Sequence, residues 1–308
     1  MNSAPRPGRR SQKERDSTAI HPRRHPARIV SSVLVALIGV WLFAAFAFNP
    51  NLRWDTVGEY LFDDRILTGV GVTILLTCVA MLMGTVLGVV LAVMRRSPNV
   101  IVRGAAGGYI WFFRGTPLLV QLILWYNLAA LFPQLSLGIP GGPSFVEVET
   151  NQILTGFVAA ILGLGLNEGA YMAEVVRSGI LGVEKGQFDA ADSLSMRRSQ
   201  VMRFVVLPQA FRIIVPPTGN QFITLFKTTS LVSVIAGSDL LTQAKNIYAH
   251  NFMVVELLIV ATFWYLLLTT AFTAVQSQVE RRLGRGRMED SGGFGFFQRL
   301  AFAGRGTS

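Results

Sequence analysis

Six apolar stretches alternate with polar segments along this chain. A helix needs about 20 apolar residues to cross the hydrocarbon core of a bilayer. Residues 29–48, 66–94, 105–132, 153–176, 207–235 and 254–276 reach that length. The pattern predicts an all-α integral membrane protein with six transmembrane helices. The longest internal polar interruption, 177–207, is charged, helix-forming and lightly amphipathic. Such a segment is built to dock on a soluble partner.

Composition supports this class. Of 308 residues, 51% are hydrophobic and 15% charged, which excludes an ordinary soluble domain. The net charge of +10 could suggest a nucleic-acid binder, but its distribution argues for topology instead. From the N-terminal tail onward, the segments outside the spans carry 8, 2, 3, 0, 5, 1 and 6 Lys plus Arg. Positive charge stays on the cytosolic side. Both termini, 95–104 and 177–206 are therefore expected inside, and the acidic loops 49–65 and 133–152 outside. The first span ends in Ala45-Phe46-Ala47, a small-x-small sequence, but its apolar run and leader are too long for a secretory signal, so it is expected to be retained. The basic tail 1–28 lacks the apolar surface to fold and is expected to be disordered. The basic tail 281–308 either lies on the membrane or is disordered.

Within the spans, Ala80, Gly84, Gly88 and Ala92 share one helical face and predict close helix packing. Pro117, and Pro208, Pro216 and Pro217, predict broken or bent helices in the third and fifth spans. Such breaks survive only against protein or a water-filled cavity. Polar residues at membrane depth mark a candidate translocation pathway: Arg114, Thr116, Gln121, Asn167, Glu168, Glu174, Asn220, Gln221, Lys227, Thr228, Thr229 and Ser230. An unpaired arginine at the depth of Arg114 costs about 2.5–3.5 kcal/mol, so it must face water or a partner. A bundle-fixing ion pair is the competing explanation for Arg114. An ordinary surface pair explains Glu174 and Arg177, three residues apart. Snorkelling to the interface competes for Lys227.

No phosphate-binding Gly-x-x-x-x-Gly-Lys motif, His/Cys metal cluster or nucleophile–base set is present. The chain is therefore expected to hold no cofactor or metal and to have no catalytic residues of its own.

The segment Asp189-Ala190-Ala191, with Ser195 and then Val205-Val206-Leu207-Pro208, resembles the cytosolic "EAA" loop of ABC-type importer permeases. Arg114-Gly115-Thr116-Pro117, Tyr171-Met172-Ala173-Glu174, Gly186-Gln187, Pro216-Pro217 and Lys227-Thr228-Thr229-Ser230 resemble the polar amino-acid branch of that family. The likeness covers roughly residues 66–280, the permease core, and leaves 29–65 as an additional N-terminal helix and outer loop. It implies a subunit of an ATP-driven importer in a bacterial plasma membrane. It implies as partners cytosolic ATPases holding ATP and Mg, a second permease subunit, an extracytoplasmic amino-acid-binding protein and an amino-acid substrate, with no nucleic acid. It assigns ATPase coupling to Gly186, Gln187, Phe188, Asp189, Ala190, Ala191, Ser195, Leu207 and Pro208. Asp189 stands where the family has Glu, and Ser195 where it has Gly; Ser195 is expected to cap a second short helix beginning at Met196. A passive channel or ion-coupled carrier is the alternative, and it would need no docking segment.

Overall fold

The computed structural model describes residues 26–138, 144–235 and 237–283. The expectations for the two basic tails lie outside these residues, except at 26–28 and 281–283, which are helical rather than disordered. The chain divides into two units, Met1–Arg53 and Trp54–Ser308. In the first, α1 (Pro26–Ala47) opens on a proline, whose missing N–H costs nothing in a first turn. Its residues are apolar nearly all round, as a lipid-facing helix requires.

The second unit begins with α2 (Trp54–Leu61) and the 32-residue α3 (Asp64–Arg95). Asp63 caps α3 by accepting from the Arg65 N–H, and the Arg65 guanidinium folds back onto the same carboxylate at 3.0 Å. Asn99 caps α4 (Val100–Gly115), accepting from the Ile101 and Val102 N–H groups. After a break come α5 (Leu118–Tyr126) and α6 (Leu128–Leu131). An antiparallel hairpin of β1 (Gln134–Gly138) and β2 (Ser144–Glu149) follows, pairing Gln134 with Glu149. The prediction of helix alone missed this hairpin. Next come α7 (Thr150–Ile153), α8 (Gly156–Leu181), α9 (Lys185–Ser193) and α10 (Arg198–Gln200). A π-helical turn, Val201–Val206, leads into α11 (Leu207–Thr228) and a 3-10 segment, Thr229–Val234. Last come α12 (Leu240–Asn251) and α13 (Val254–Leu283).

Among the described residues, four helices are long and apolar enough to cross a membrane: Val30–Ala47 within α1, α3, α8 and α13. The predicted span 105–132 is not one helix. It is interrupted at Thr116-Pro117 and again at Asn127. The predicted span 207–235 is α11 plus the 3-10 segment, and its polar content removes it from those four.

The α3–α8 seam is the centre of the unit. The predicted stripe lies in it: Ala80 and Ala92 are buried, Gly84 meets the Glu168 side chain, and Gly88 meets Met172. Lipid gives apolar helices no reason to associate, so close approach through small residues supplies the contact. Leu76, Met81, Leu122, Leu164 and Met172 fill the space beside it. A second cluster of Ala92, Val176, Ile180, Val183, Ala191, Val201, Val206 and Ala210 fastens α9 to the ends of α3, α8 and α11. Large apolar residues such as Leu82, Val93 and Leu266 remain exposed, as expected for surfaces solvated by lipid.

Candidate solute route and docking segment

The break between α4 and α5 follows from one missing proton. Pro117 has no N–H, so the Phe113 carbonyl loses its donor four residues ahead. Two side-chain amides replace it. Gln121 Nε2 donates to Phe113 O at 3.0 Å, and Asn167 Nδ2 donates to the same oxygen at 2.8 Å. Gln121 Nε2 also lies 3.2 Å from Thr116 O and 2.7 Å from Thr116 Oγ1. Asn167 Nδ2 is 3.2 Å from Gln121 Oε1. Nearby, the Tyr109 hydroxyl donates to Leu166 O at 2.8 Å, again joining α4 to α8. All these groups are buried or half-buried, and the Thr116 hydroxyl gives its proton to Phe112 O at 2.8 Å.

Arg114 leaves α4 just before this break. Its guanidinium lies 3.8 Å from Glu174 Oε1 and 5.4 Å from the centre of the Tyr171 ring. The other Glu174 oxygen accepts from Arg177 Nε at 2.7 Å. The bundle-fixing pair expected for Arg114 and the Glu174–Arg177 pair both exist, sharing one carboxylate. They line an open hollow of about 420 Å³ with Tyr171, Ser178 and Gln221.

Glu168 lies six residues before Glu174 on α8, about 9 Å along the helix axis. It is only 2% exposed. Its Oε2 accepts from Gln221 Nε2 at 3.1 Å. Its Oε1 is buried without a partner among the described residues. Burying an unsatisfied carboxylate oxygen is unfavourable, so this atom suits a donor or cation entering beside it. Glu168 lines a cavity of about 250 Å³ with Leu118, Asn167, Thr224 and Thr228. Tyr171 and Gln221 line both spaces, so an acidic and a mixed-charge chamber share two walls.

The other route residues separate by helix geometry. Asn220 and Lys227 are exposed on α11 and line neither space, nor does Ser230. Thr229 is buried with its hydroxyl on Phe226 O at 2.6 Å. Gln121 and Thr116 serve the break. Tyr171 was not among the expected route residues, although its position three residues before Glu174 puts it on that face.

In the docking segment, α9 buries Ala191 and half-buries Phe188 while exposing Gly186, Gln187, Asp189 and Ala190. Gln209 Nε2 of α11 donates to Gln187 Oε1 at 3.2 Å. Ser195 does not cap a helix from Met196, since the next helix starts at Arg198. Ser195 instead adopts φ 54°, the left-handed conformation that glycine takes most readily. The Met196 N–H closes this turn on Ala191 O at 3.2 Å. Leu207 reaches back five residues to Met202 O, and Pro208 cannot donate to restore the tighter ladder.

A polar hollow lined by α4, α8 and α11, with an amphipathic segment packed on the ends of α3, α8 and α11, is the arrangement of the membrane subunit of a transport system. Residues 84–285 match the family described as binding-protein-dependent transport system inner membrane component, and the chain belongs to that family. It is 43% identical over 267 residues to the arginine transport system permease protein ArgU of Corynebacterium glutamicum, covering 86% of this chain and 83% of that one. It is 35% identical to the L-cystine transport system permease protein TcyB of Bacillus subtilis over 242 residues, covering 78% and 95%. The crystal structure of an amino acid ABC transporter with histidines shares 34% identity and a TM-score of 0.65, covering 75% of this chain and all of that one.

Proposed function

We propose that this chain is a permease subunit of an ATP-driven importer that moves a polar amino acid, with cationic ones favoured, into a bacterial cytosol. The alternation of basic loops supports six crossings with both termini inside, the broken 105–132 segment counting as one and the continuous α11 and 3-10 segment at 207–235 as another. The chain pairs with a second permease subunit. Two cytosolic ATPases holding ATP and Mg receive the exposed face of α9, and an extracytoplasmic binding protein delivers solute. ATP must bind one state of the assembly more tightly than the other for anything to move. Asp189 on α9 carries that coupling, and Glu168, Gln221, Tyr171, Thr228, Arg114 and Glu174 contact the solute.

The observation that carries the proposal is the buried Glu168 side chain in the wall of a cavity, its Oε1 without a partner among the described residues. It suits an ammonium or guanidinium group, and the Arg114–Glu174–Arg177 hollow beside it suits the two ends of a zwitterion. The arginine permease among the relatives fits the same chemistry.

The test is uptake of radiolabelled amino acids by the reconstituted complex. Glu168→Gln is expected to reduce uptake of cationic amino acids at least tenfold. Asp189→Lys is expected to abolish solute-stimulated ATP hydrolysis while the subunit still inserts and assembles. Full uptake by both variants would overturn the proposal.

A further inference from the structure

The Phe113 carbonyl receives two amide donors, from Gln121 on α5 and Asn167 on α8. Neither donor belongs to the regular helical ladder, and Pro117 removes the one that would. Each amide therefore holds a group with no alternative partner inside its helix. The next residue after Phe113 is Arg114, whose side chain lies against Glu174 and Tyr171 at the hollow. The residue after Asn167 is Glu168, and Asn167 itself lines the Glu168 cavity. One shared carbonyl thus sits one peptide from the basic group and one side chain from the acidic chamber.

We infer that Gln121 and Asn167 are positioning residues. They form a clamp on the Phe113 carbonyl that keeps Arg114 strapped across the hollow and ties that strap to the Glu168 cavity. This role rests on the solute route proposed above. Without the clamp the Gly115-Thr116-Pro117 turn has free carbonyls and a glycine, so Arg114 is no longer aimed at Glu174. The hollow then opens without any change to the charged residues that line it.

The test uses the assembled transporter in nanodiscs, which expose both membrane faces. Ser178 lines the hollow and is exposed, so Ser178→Cys in a Cys78→Ser background reports access through its labelling rate with a charged maleimide. Asn167→Leu and Gln121→Met keep the approximate shape and remove the donors. Each is expected to raise labelling at least threefold, as is Arg114→Ala, which deletes the strap. The Asn167→Leu, Arg114→Ala double variant is expected to label no faster than either single one. Tyr109→Phe cuts the other α4–α8 bond and is expected to leave labelling unchanged.

Unchanged labelling in the amide variants, full additivity in the double variant, or an equal rise with Tyr109→Phe would overturn the inference. So would failure of both amide variants to assemble, which would assign the amides to folding alone. No solute enters the assay. A negative result leaves the amino-acid proposal standing, and the uptake experiment above can fail without altering this one.

Discussion

A methyl group added at Gly84 would sit 2.6 Å from Glu168 Cγ, so α3 packs directly on the stem of the buried Glu168 side chain of α8. The helix-packing stripe and the acidic chamber are therefore two sides of one seam. Gly84→Ala is expected to destabilise the bundle by about 1–3 kcal/mol, the usual cost of overpacking. It is also expected to displace Glu168 and reduce cationic solute uptake. Gly88→Ala meets Met172 instead and is expected to lower stability with a smaller effect on solute preference. Thermal melts and competitive uptake on the two variants separate the effects.

Ser195 is held at φ 54° between α9 and α10, where a β-carbon costs about 1–2 kcal/mol. Ser195→Gly is expected to raise stability by about 1 kcal/mol and preserve coupling to the ATPase. Ser195→Val is expected to weaken both. Melting temperature and solute-stimulated ATP hydrolysis check this pair.

The Asp63 cap predicts a pH dependence. The Arg65 side chain donates to this carboxyl and holds its pKa below the ordinary value, against the smaller opposing effect of burial. A lowered folded-state pKa means that the stabilisation is complete above the ordinary carboxylate range and fades as pH falls through the folded value. Asp63→Ala is expected to cost about 1 kcal/mol at neutral pH. It is also expected to remove this part of the acid sensitivity, read as hydrogen exchange at the first turn of α3.

Gln276 of α13 donates to Pro216 O at 2.9 Å and lies over Gly219, where an added methyl would fall 1.6 Å from its Oε1. Gly219→Ala is expected to destabilise more than Gln276→Ala. The double variant is expected to recover part of the loss, because removing Gln276 removes the clash. Thermal melts of the three variants measure that coupling.

Much of this architecture was legible from residue order. The long apolar runs of α3 and α13, and of α8 despite its Asn167, Glu168 and Glu174, left few other folds for those segments, and Ala80, Gly84, Gly88 and Ala92 pointed to the right seam. The 105–132 run blurred because apolar content integrates across a break and only Pro117 signalled one. Gln121 looked like a lining residue because a sequence does not show which carbonyl lacks a donor. Asn220 and Lys227 sat in the same polar run as Gln221 and Thr228. Successive residues turn by about 100°, so one run supplies different faces. Ser195 was misjudged because its capping chemistry was set above the positive-φ turn that the family's glycine allows between two short helices, a turn that Ser195 adopts all the same.

The Gln121–Asn167 clamp is made of neutral amides and backbone carbonyls, so it carries no net charge. A membrane potential exerts about 2.3 kcal/mol per elementary charge per 100 mV on groups that cross its field. Within the clamp itself the potential finds no charge to pull, and the electrical force at this break falls on Arg114 and Glu174 beside it. A steep voltage thus leaves the two amide bonds unloaded and acts instead on the charged strap that they hold in place.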